Sequence, residues 1–409
     1  STRTPLGKLS GVMMKHKTLE NQFELFAQVI NSRNTKHKVI RPIKLPPGRT
    51  TSSMATRYTV INSLDSTRNT GLIFGLLFNI FSGNLMIHIN SDYLSMSSGN
   101  LETIVDKYRA SILLCDQLQL KQVVINYLDN PELMQKKNKR KIDFSCIKFC
   151  LTTCTTIDTE VSDMIVQKWL KNLGCIDASQ CYSPVLTLPD FGGCFVSFRD
   201  QLSVPPKKLK IVNGQMQLNS DDDFGAEFDD SADNTGNGNF IKFKNNTQDD
   251  IYIEKEPLKD NVIKISNTPM LGASSSAQKH IKLSAFGFPL VDSFLAVVNP
   301  DDGTLVQDST VGELWISSSS MTNEFYHMDK VNDFVFKAKL NYNKMFRMLE
   351  KSNATQQSFQ KLRAIMQVCP SDTAFLRTKL IGFVHNNKIY VLSLVEDMVL
   401  QNKLIRLSN

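Results

Sequence analysis

Apolar positions in the N-terminal half of the chain alternate between helical spacing and short continuous runs. From Thr18 to Arg33 they recur every three or four residues, and Thr18 is placed to cap this helix. The pattern also predicts strands at 56–64, 85–89, 110–115 and 147–152 and helices at 71–81, 101–109, 118–128 and 161–173. Strands that alternate with helices are typical of an α/β layer with a mainly parallel sheet.

The segment 71–81 is apolar on every side, which predicts a buried helix. Further along, strands are predicted at 286–298 and 312–317, with a turn at 299–303 between them. Two short helices within 345–368 and strands at 375–376, 382–384 and 388–392 follow. This part of the chain is therefore expected to form a smaller, β-rich subdomain.

An acidic stretch separates the two parts. Residues 221–233 contain seven acidic side chains and no Lys or Arg, a composition that predicts disorder. We expect an insertion at 205–279 with short strands at 209–212 and 251–253, and it would serve as a solvated spacer or as a docking or phosphorylation segment. The predicted organisation is an α/β subdomain at 1–204, the insertion, a β-rich subdomain at 280–397, and the start of a further lid at 398–409.

Composition narrows the class of protein. The chain has 409 residues, 41% of them hydrophobic, which excludes collagen, coiled coil and disorder throughout and suits two or three packed domains. No apolar run approaches the roughly eighteen residues that span a bilayer. Eight scattered cysteines without a signal peptide favour a reduced, cytoplasmic setting. Because the chain opens on Ser1 in a loop-like stretch, we expect it to be part of a larger protein.

Short motifs occur in an order that resembles the acyl-adenylate-forming enzymes. Residues 2–12 are similar to the phosphate loop T-S-G-S-T-G-x-P-K-G-V, and 71–75 to the G-L-I-G-G of acyl-AMP ligases. Residues 181–184 resemble the Y-G-P-T-E turn, 287–290 with 311–316 resemble G-x-P-L and V-G-E-I-W-V, 375–383 resemble F-L-R-T-G-D-L-G-F, and Asp397 falls on the hinge aspartate.

The pattern of losses within these motifs resembles the fatty acyl-AMP ligase-like domains of the Disco-interacting protein 2 family. The resemblance implies an adenylate-forming fold, a role in lipid metabolism through diacylglycerol homeostasis, and a second ligase-like domain in the same polypeptide as a partner. Active relatives would use ATP and Mg²⁺ or acyl-CoA, but the chain gives no firm cofactor of its own.

The resemblance also implies a degraded nucleotide site. Leu186 takes the place of the glutamate that ligates Mg²⁺, and Leu380 takes that of the aspartate that binds ribose; neither side chain offers an oxygen. Whether the domain is an enzyme therefore stays open. The positions of this degenerate site are Thr2, Thr4, Gly7, Lys8, Ser10, Tyr182, Leu186, Arg377 and Leu380, with Asp397 as the hinge.

An acyl pocket could survive without the nucleotide site. The resemblance places a fatty chain beside the 71–81 helix, where Gly75 would leave room, so an acyl lipid or fatty acid is the expected ligand. The alternative is that this helix is plain core. The candidate pocket residues are Gly71, Phe74, Gly75, Leu77, Phe78, Gly192 and Gly193, close to Tyr182.

A basic run offers a second kind of contact. Five cations in six residues could meet anionic headgroups at an organelle membrane or could form a solvated loop. Nucleic acid is disfavoured because no aromatic residues are interleaved to stack on bases. The cations are Lys136, Lys137, Lys139, Arg140 and Lys141. No metal site is predicted, because the spacing of Cys146, Cys150 and Cys154 is not that of a zinc ligand set.

The leading hypothesis is a lipid-metabolism module with a degraded ATP/Mg²⁺ site that recognises acyl lipid or regulates a tandem copy. One rival is an active acyl-AMP- or acyl-CoA-dependent ligase or acyltransferase that uses substitute residues. The other rival is a protein scaffold that docks through the acidic insertion.

Overall fold

The computed structural model describes residues 2–3, 9–32, 57–90, 93–94, 99–130, 141–192, 194–199, 211–212, 250–266, 279–290, 292–307 and 309–395. Within these residues, one mainly parallel sheet and one antiparallel sheet carry most of the helices. Three very short strands come first: β1 (Thr2–Arg3), β2 (Leu9–Ser10) and β3 (Val12–Met13).

The parallel sheet has the strand order β5-β4-β6-β7-β8-β9. Its strands are β4 (Thr59–Asn62), β5 (Leu85–His88), β6 (Ile112–Asp116), β7 (Phe149–Cys154), β8 (Tyr182–Leu188) and β9 (Cys194–Phe195). All neighbours pair in parallel except β9, which is antiparallel to β8. Parallel strands need helical crossovers, and these cover both faces of the sheet.

The helices of this layer are α1 (His16–Ser32), α2 (π-helical over Gly71–Leu77, then α-helical over Phe78–Ser82), α3 (Asn100–Tyr108), α4 (Gln117–Asp129), α5 (Thr159–Asp163, continuing as a π-helix over Met164–Leu170) and α6 (Ala178–Cys181). Two of them begin at aspartate caps. Asp116 accepts from the backbone N–H groups of residues 118 and 119, and Asp158 from those of 160 and 161.

The antiparallel sheet has the order β11-β16-β18-β20-β21, with β17 paired to β16. The remaining strands are β10 (Ser197–Phe198), β11 (Ile211–Val212), β12 (Asp250–Glu254), β13 (Ile265–Ser266), β14 (His280–Ser284), β15 (Phe288–Pro289), β16 (Ser293–Asn299), β17 (Thr304–Leu305), β18 (Gly312–Ser318), β19 (Glu324–Phe325), β20 (Leu376–His385) and β21 (Lys388–Leu394). Strands β13, β12 and β14 form a separate three-stranded sheet.

Four helices accompany the second part of the chain. They are α7 (Lys255–Leu258), α8 (Asp329–Phe336), α9 (Tyr342–Lys351) and α10 (Gln356–Val368). Helices α9 and α10 bury Tyr342 and Leu362 against Trp315 and Phe375 of the antiparallel sheet region. They therefore cover one face of that sheet.

Side chains alternate between the two faces of the parallel sheet. On β6, Ile112 and Leu114 pack with α1 and α2, whereas Leu113 and Cys115 pack with α3, α4 and α5. Strands that are apolar on both faces explain why the sequence shows continuous runs instead of alternation. The predicted α/β layer and the smaller β-rich part are both present.

Several element predictions need correction. Helix α1 begins at His16, so Thr18 lies inside it and does not cap it. Strand β20 is continuous where two short strands were expected, and the predicted 286–298 strand is divided into β15 and β16. Helix α2 is not buried on all sides, since Leu72 and Ile80 are 40% and 68% exposed. Helix α8 was not predicted at all.

Candidate functional site

Tyr182, the tyrosine of the degenerate Y-G-P-T-E turn, opens β8 and is buried. Its hydroxyl accepts from Gln117 Nε2 at 3.0 Å and from Thr152 Oγ1 at 3.3 Å, and it lies 3.2 Å from Ser162 Oγ. Burial raises the pKa of Tyr182 to about 12. The phenol is therefore neutral and held among α4, β7 and α5, on the face of the sheet opposite to α2.

The two positions to which the motif resemblance assigns metal and sugar binding lie in the hydrophobic core. Leu186 on β8 is 0% exposed and Leu380 on β20 is 2% exposed. Both belong to one apolar cluster, which also contains Leu188, Leu314 and Phe336. Alkyl groups can neither ligate a hard cation nor accept a hydrogen bond from ribose. The residues present at these positions therefore do not fit ATP with Mg²⁺.

Arg377 is engaged in a buried ion pair. Its Nη2 lies 2.9 Å from Glu313 Oε2, and Trp315 Nε1 donates to the same oxygen at 2.9 Å. The guanidinium carbon lies 5.3 Å from the ring centre of Trp315 and 4.2 Å from that of Phe334. The backbone N–H of Lys379 donates to Glu313 Oε1 at 3.2 Å. This arginine therefore joins β20 to β18.

Glu313 belongs to the motif at 311–316, but the sequence alone did not indicate a role for it. The structure makes its carboxylate, which is almost fully buried, the acceptor for three neighbouring groups. The signal in the sequence was a glutamate inside an otherwise apolar strand. A glutamate is almost never buried unless it is paired, so its position indicated a partner. Lys379 takes the glycine position of the late motif and adopts a φ of 61°.

The segment 2–12, which resembles a phosphate loop, contains β1 and β2, and these two strands form a small hairpin. Strands β1 and β2 pair antiparallel, with Thr2 opposite Ser10. Strand β3 then pairs with β19, which ties the loop to the second half of the chain. Thr4, Gly7 and Lys8 lie outside the described residues, as does the hinge Asp397.

A small cavity lies beside β3 and β19. Its volume is about 60 Å³, far below the several hundred Å³ of a ligand pocket. Gly192 lies against two of the lining residues, since an added Cβ there would come within 2.8 Å of Thr322 Cγ2 and 3.2 Å of Met14 Sδ. The lining residues are Met13, Met14, Lys15, Thr18, Thr322, Asn323 and Glu324.

The predicted acyl pocket needs correction at Gly75. An added Cβ there would overlap the side-chain amide of Asn62, so the glycine accommodates a buried polar side chain and leaves no empty room. Asn62 Oδ1 accepts from the backbone N–H of Leu64 at 3.0 Å, and its Nδ2 lies 3.2 Å from His88 Nδ1. Gly71 is equally tight, against the backbone carbonyl of Asp65.

The predicted wall residues form a closed aromatic cluster. The ring of Phe26 contacts Phe74 and Phe78, with centroids 5.3 and 4.6 Å apart. Leu77 packs against the same cluster, as does Met14 from the cavity. Gly192 lies near Met14, but Tyr182 lies on the opposite face of the sheet, so the proposed residues do not surround one space. Gly193 is outside the described residues.

The basic run is described only at Lys141, which is exposed; Lys136, Lys137, Lys139 and Arg140 lie outside the described residues. Among the residues that the structure describes, no cluster of His, Cys, Asp and Glu could hold a metal ion. In the same part of the chain, no helix has the length and apolar character to cross a membrane.

Two curated proteins align with nearly the whole chain. A protein of Saccharomyces cerevisiae named "Homeostatic regulator of DAG" is 53% identical over 414 residues, which cover 100% of this chain and 23% of that protein. An uncharacterized protein of Schizosaccharomyces pombe is 27% identical over 409 residues, covering 98% and 24%. The chain thus spans about a quarter of the length of the curated relatives that it matches. No family model matches it.

Solved structures identify the fold. The fatty acid AMP ligase of Legionella pneumophila superposes with a TM-score of 0.59 at 14% identity, over 96% of this chain and 48% of that chain. The adenylation domain of a keto acid-selecting NRPS module gives 0.60 at 11% identity, over 96% and 51%. The chain therefore has the adenylate-forming ligase-like α/β fold, as the motifs predicted.

Proposed function

We propose that this domain serves the homeostasis of diacylglycerol and does not form acyl-adenylates by itself. It would act by recognising an acyl lipid or by regulating a second ligase-like domain of the same polypeptide, in a protein of the Disco-interacting protein 2 type. The name of the S. cerevisiae relative supports the lipid assignment, and the adenylate-forming fold supports an acyl group as the recognised chemistry.

The observation that carries the proposal is the burial of Leu186 and Leu380 in one apolar cluster. Adenylate formation depends on electrostatic stabilisation of the phosphoryl charge, and Mg²⁺ is a main supplier of it. A site with leucine at both positions has neither a side-chain oxygen to hold Mg²⁺ nor an acceptor for the ribose hydroxyls. Because the chain covers about a quarter of its relatives, catalysis by another part of the polypeptide is compatible with this proposal.

Isothermal titration with ATP·Mg²⁺ tests the first half of the proposal. We expect no saturable heat from the chain under conditions in which a competent fatty acyl-AMP ligase binds. Saturable binding that disappears with EDTA would overturn the proposal and favour the rival reading of an active ligase with substitute residues.

For the acyl ligand, we propose entry at the cavity beside Met14 in place of the room expected at Gly75. Met14 borders both this cavity and the aromatic cluster of α1 and α2, and methionine side chains rearrange readily. Mass spectrometry of lipids that copurify with the parent protein should detect an acyl lipid that Met14→Trp removes. Leu118→Trp, at a 72% exposed position on α4, is the control. Equal lipid content in the two variants would contradict this entry site.

A further inference from the structure

One pair of helices, α9 and α10, lies in a basic segment of the chain. The formal net charge of the whole chain is +7. Residues 337–368, which contain α9 and α10, have a single acidic residue, Glu350. Their cations are Lys337, Lys339, Lys344, Arg347, Lys351, Lys361 and Arg363. Seven cations against one acidic residue make this one of the basic segments of the chain.

Helix α9 separates its buried and exposed sides sharply. Tyr342 and Met345 are buried against the antiparallel sheet region. The exposed stripe consists of residues at i, i+3, i+4 and i+7, namely Lys344, Arg347, Met348 and Lys351. One side of this helix therefore presents three cations around one methionine.

Helix α10 lies beside α9 and also exposes cations, although they do not form a single stripe as they do on α9. It buries Leu362 and Ile365 in the same cluster as α9. The rings of Phe346 and Phe359 stack between the helices with centroids 6.5 Å apart. Lys361, Arg363 and Met366 are exposed. Because both helices cover one face of the sheet, their exposed sides point away from it together.

Few of these cations are neutralised by the described part of the chain. Lys337 pairs with Asp333 at 2.7 Å and Lys344 with Asp302 at 2.8 Å. Across the described residues, the ion pairs within 4 Å include none to the other exposed cations of the two helices, which are Arg347, Lys351, Lys361 and Arg363. The surface thus combines unneutralised charge with exposed thioethers, since Met348 is 49% and Met366 38% exposed.

We propose that this basic hairpin, the exposed side of α9 and α10, is a contact surface for an anionic lipid membrane. Cations that flank apolar side chains on a helical surface fit headgroups and the acyl boundary beneath them. An acidic polypeptide would use the charges but gain little from the methionines. Nucleic acid is disfavoured because the exposed aromatic residues that stack on bases are missing from the described α9 and α10.

This surface consists of other residues than the basic run at 136–141, and it does not depend on the proposed acyl-lipid function. Flotation of the full chain with phosphatidylcholine vesicles, with and without phosphatidylserine, tests it. We expect binding only with phosphatidylserine, and binding that weakens as salt screens the charges. The double variant Arg347→Gln, Lys351→Gln should partition about 30-fold more weakly, because each cation near an anionic surface contributes roughly 1 kcal/mol.

The matched control is Lys168→Gln, Lys171→Gln, which removes the same charge from exposed positions near the end of α5. It should retain most of the binding. If both double variants lost the same amount of binding, net charge alone would explain the effect and the proposal would be overturned. Failure to bind phosphatidylserine vesicles would overturn it too, and binding to polyglutamate alone would assign the surface to an acidic polypeptide. Unchanged thermal midpoints of both variants show that folding is intact.

Discussion

Replacing Leu380 with aspartate tests whether the position that the motif resemblance assigns to sugar binding is closed. The substitution restores the carboxylate that active relatives are expected to use, but at a position that is 2% exposed and shares an apolar cluster with Leu186. A carboxylate without water or a partner is strongly disfavoured, so the introduced group should stay protonated in the folded protein. The variant should therefore be destabilised and should not gain ATP binding.

The size of the effect has two parts. Loss of a buried leucine side chain costs roughly 2–5 kcal/mol through lost burial and the cavity that remains. The second part depends on pH. The pKa of the introduced carboxyl is raised in the folded state, so the unfolded chain binds fewer protons above about pH 4. Stability then falls by about 1.4 kcal/mol for each further pH unit until the folded pKa is reached.

Urea unfolding of wild type, Leu380→Asp and Leu380→Ala between about pH 4 and pH 7 separates these parts. The alanine variant should lose stability by a constant amount relative to wild type, whereas the aspartate variant should lose more at each higher pH. A total stability of about 5–15 kcal/mol would leave the aspartate variant folded at the acid end of the range. If the aspartate variant matches the alanine variant at every pH and binds ATP·Mg²⁺, the position is open and the reasoning fails.

Two other buried carboxyl groups give further predictions. Glu313→Gln should cost about 3–5 kcal/mol in urea unfolding because Arg377 loses its anionic partner, and exposed Glu324→Gln should change little; equal effects would contradict the role of the ion pair. Burial raises the pKa of Glu102, whose Oε1 accepts from Trp169 Nε1 at 2.8 Å while Oε2 has no hydrogen-bond partner among the described residues. Wild-type stability should therefore fall as pH rises above the ordinary glutamate pKa of 4.5 and through the raised one. Glu102→Gln, which keeps an acceptor for Trp169, should remove this slope, and parallel pH curves for the two proteins would refute the prediction.

The sequence predicted the layers well and the side-chain neighbourhoods poorly. Short apolar runs are sufficient to place strands of a parallel sheet, because both faces are buried. Gly75 shows the limit, since a small residue is equally compatible with an open pocket and with the side chain of Asn62, which ends the preceding strand β4. Helix α8 was missed because Phe334 is 62% exposed and Asn332 is buried. Asn332 exchanges two hydrogen bonds with the backbone of Phe325, a contact that only the fold supplies.

At the candidate site, too, the sequence could not show which side chains contact each other. The sequence indicated separately that Leu186 and Leu380 cannot perform the roles of a metal ligand and a sugar acceptor. It could not show that these residues, on strands of different sheets, belong to the same buried cluster. Two isolated losses would leave a cleft in which neighbouring residues could supply the missing contacts. Two losses packed into one core leave no cleft at those positions.

The cluster that contains Leu186 and Leu380 also packs the two sheets against each other. Strand β8 of the parallel sheet contributes Leu186 and Leu188, while β16, β18 and β20 of the antiparallel sheet contribute Leu295, Leu314 and Leu380. Each buried leucine stabilises the folded chain by roughly 1.5–3 kcal/mol relative to exposure, so the sheets are held together by the side chains themselves. A ligand at these positions would have to separate them against that energy. Binding functions of the described residues are therefore expected outside the cluster, at the cavity beside Met14 and on the basic hairpin.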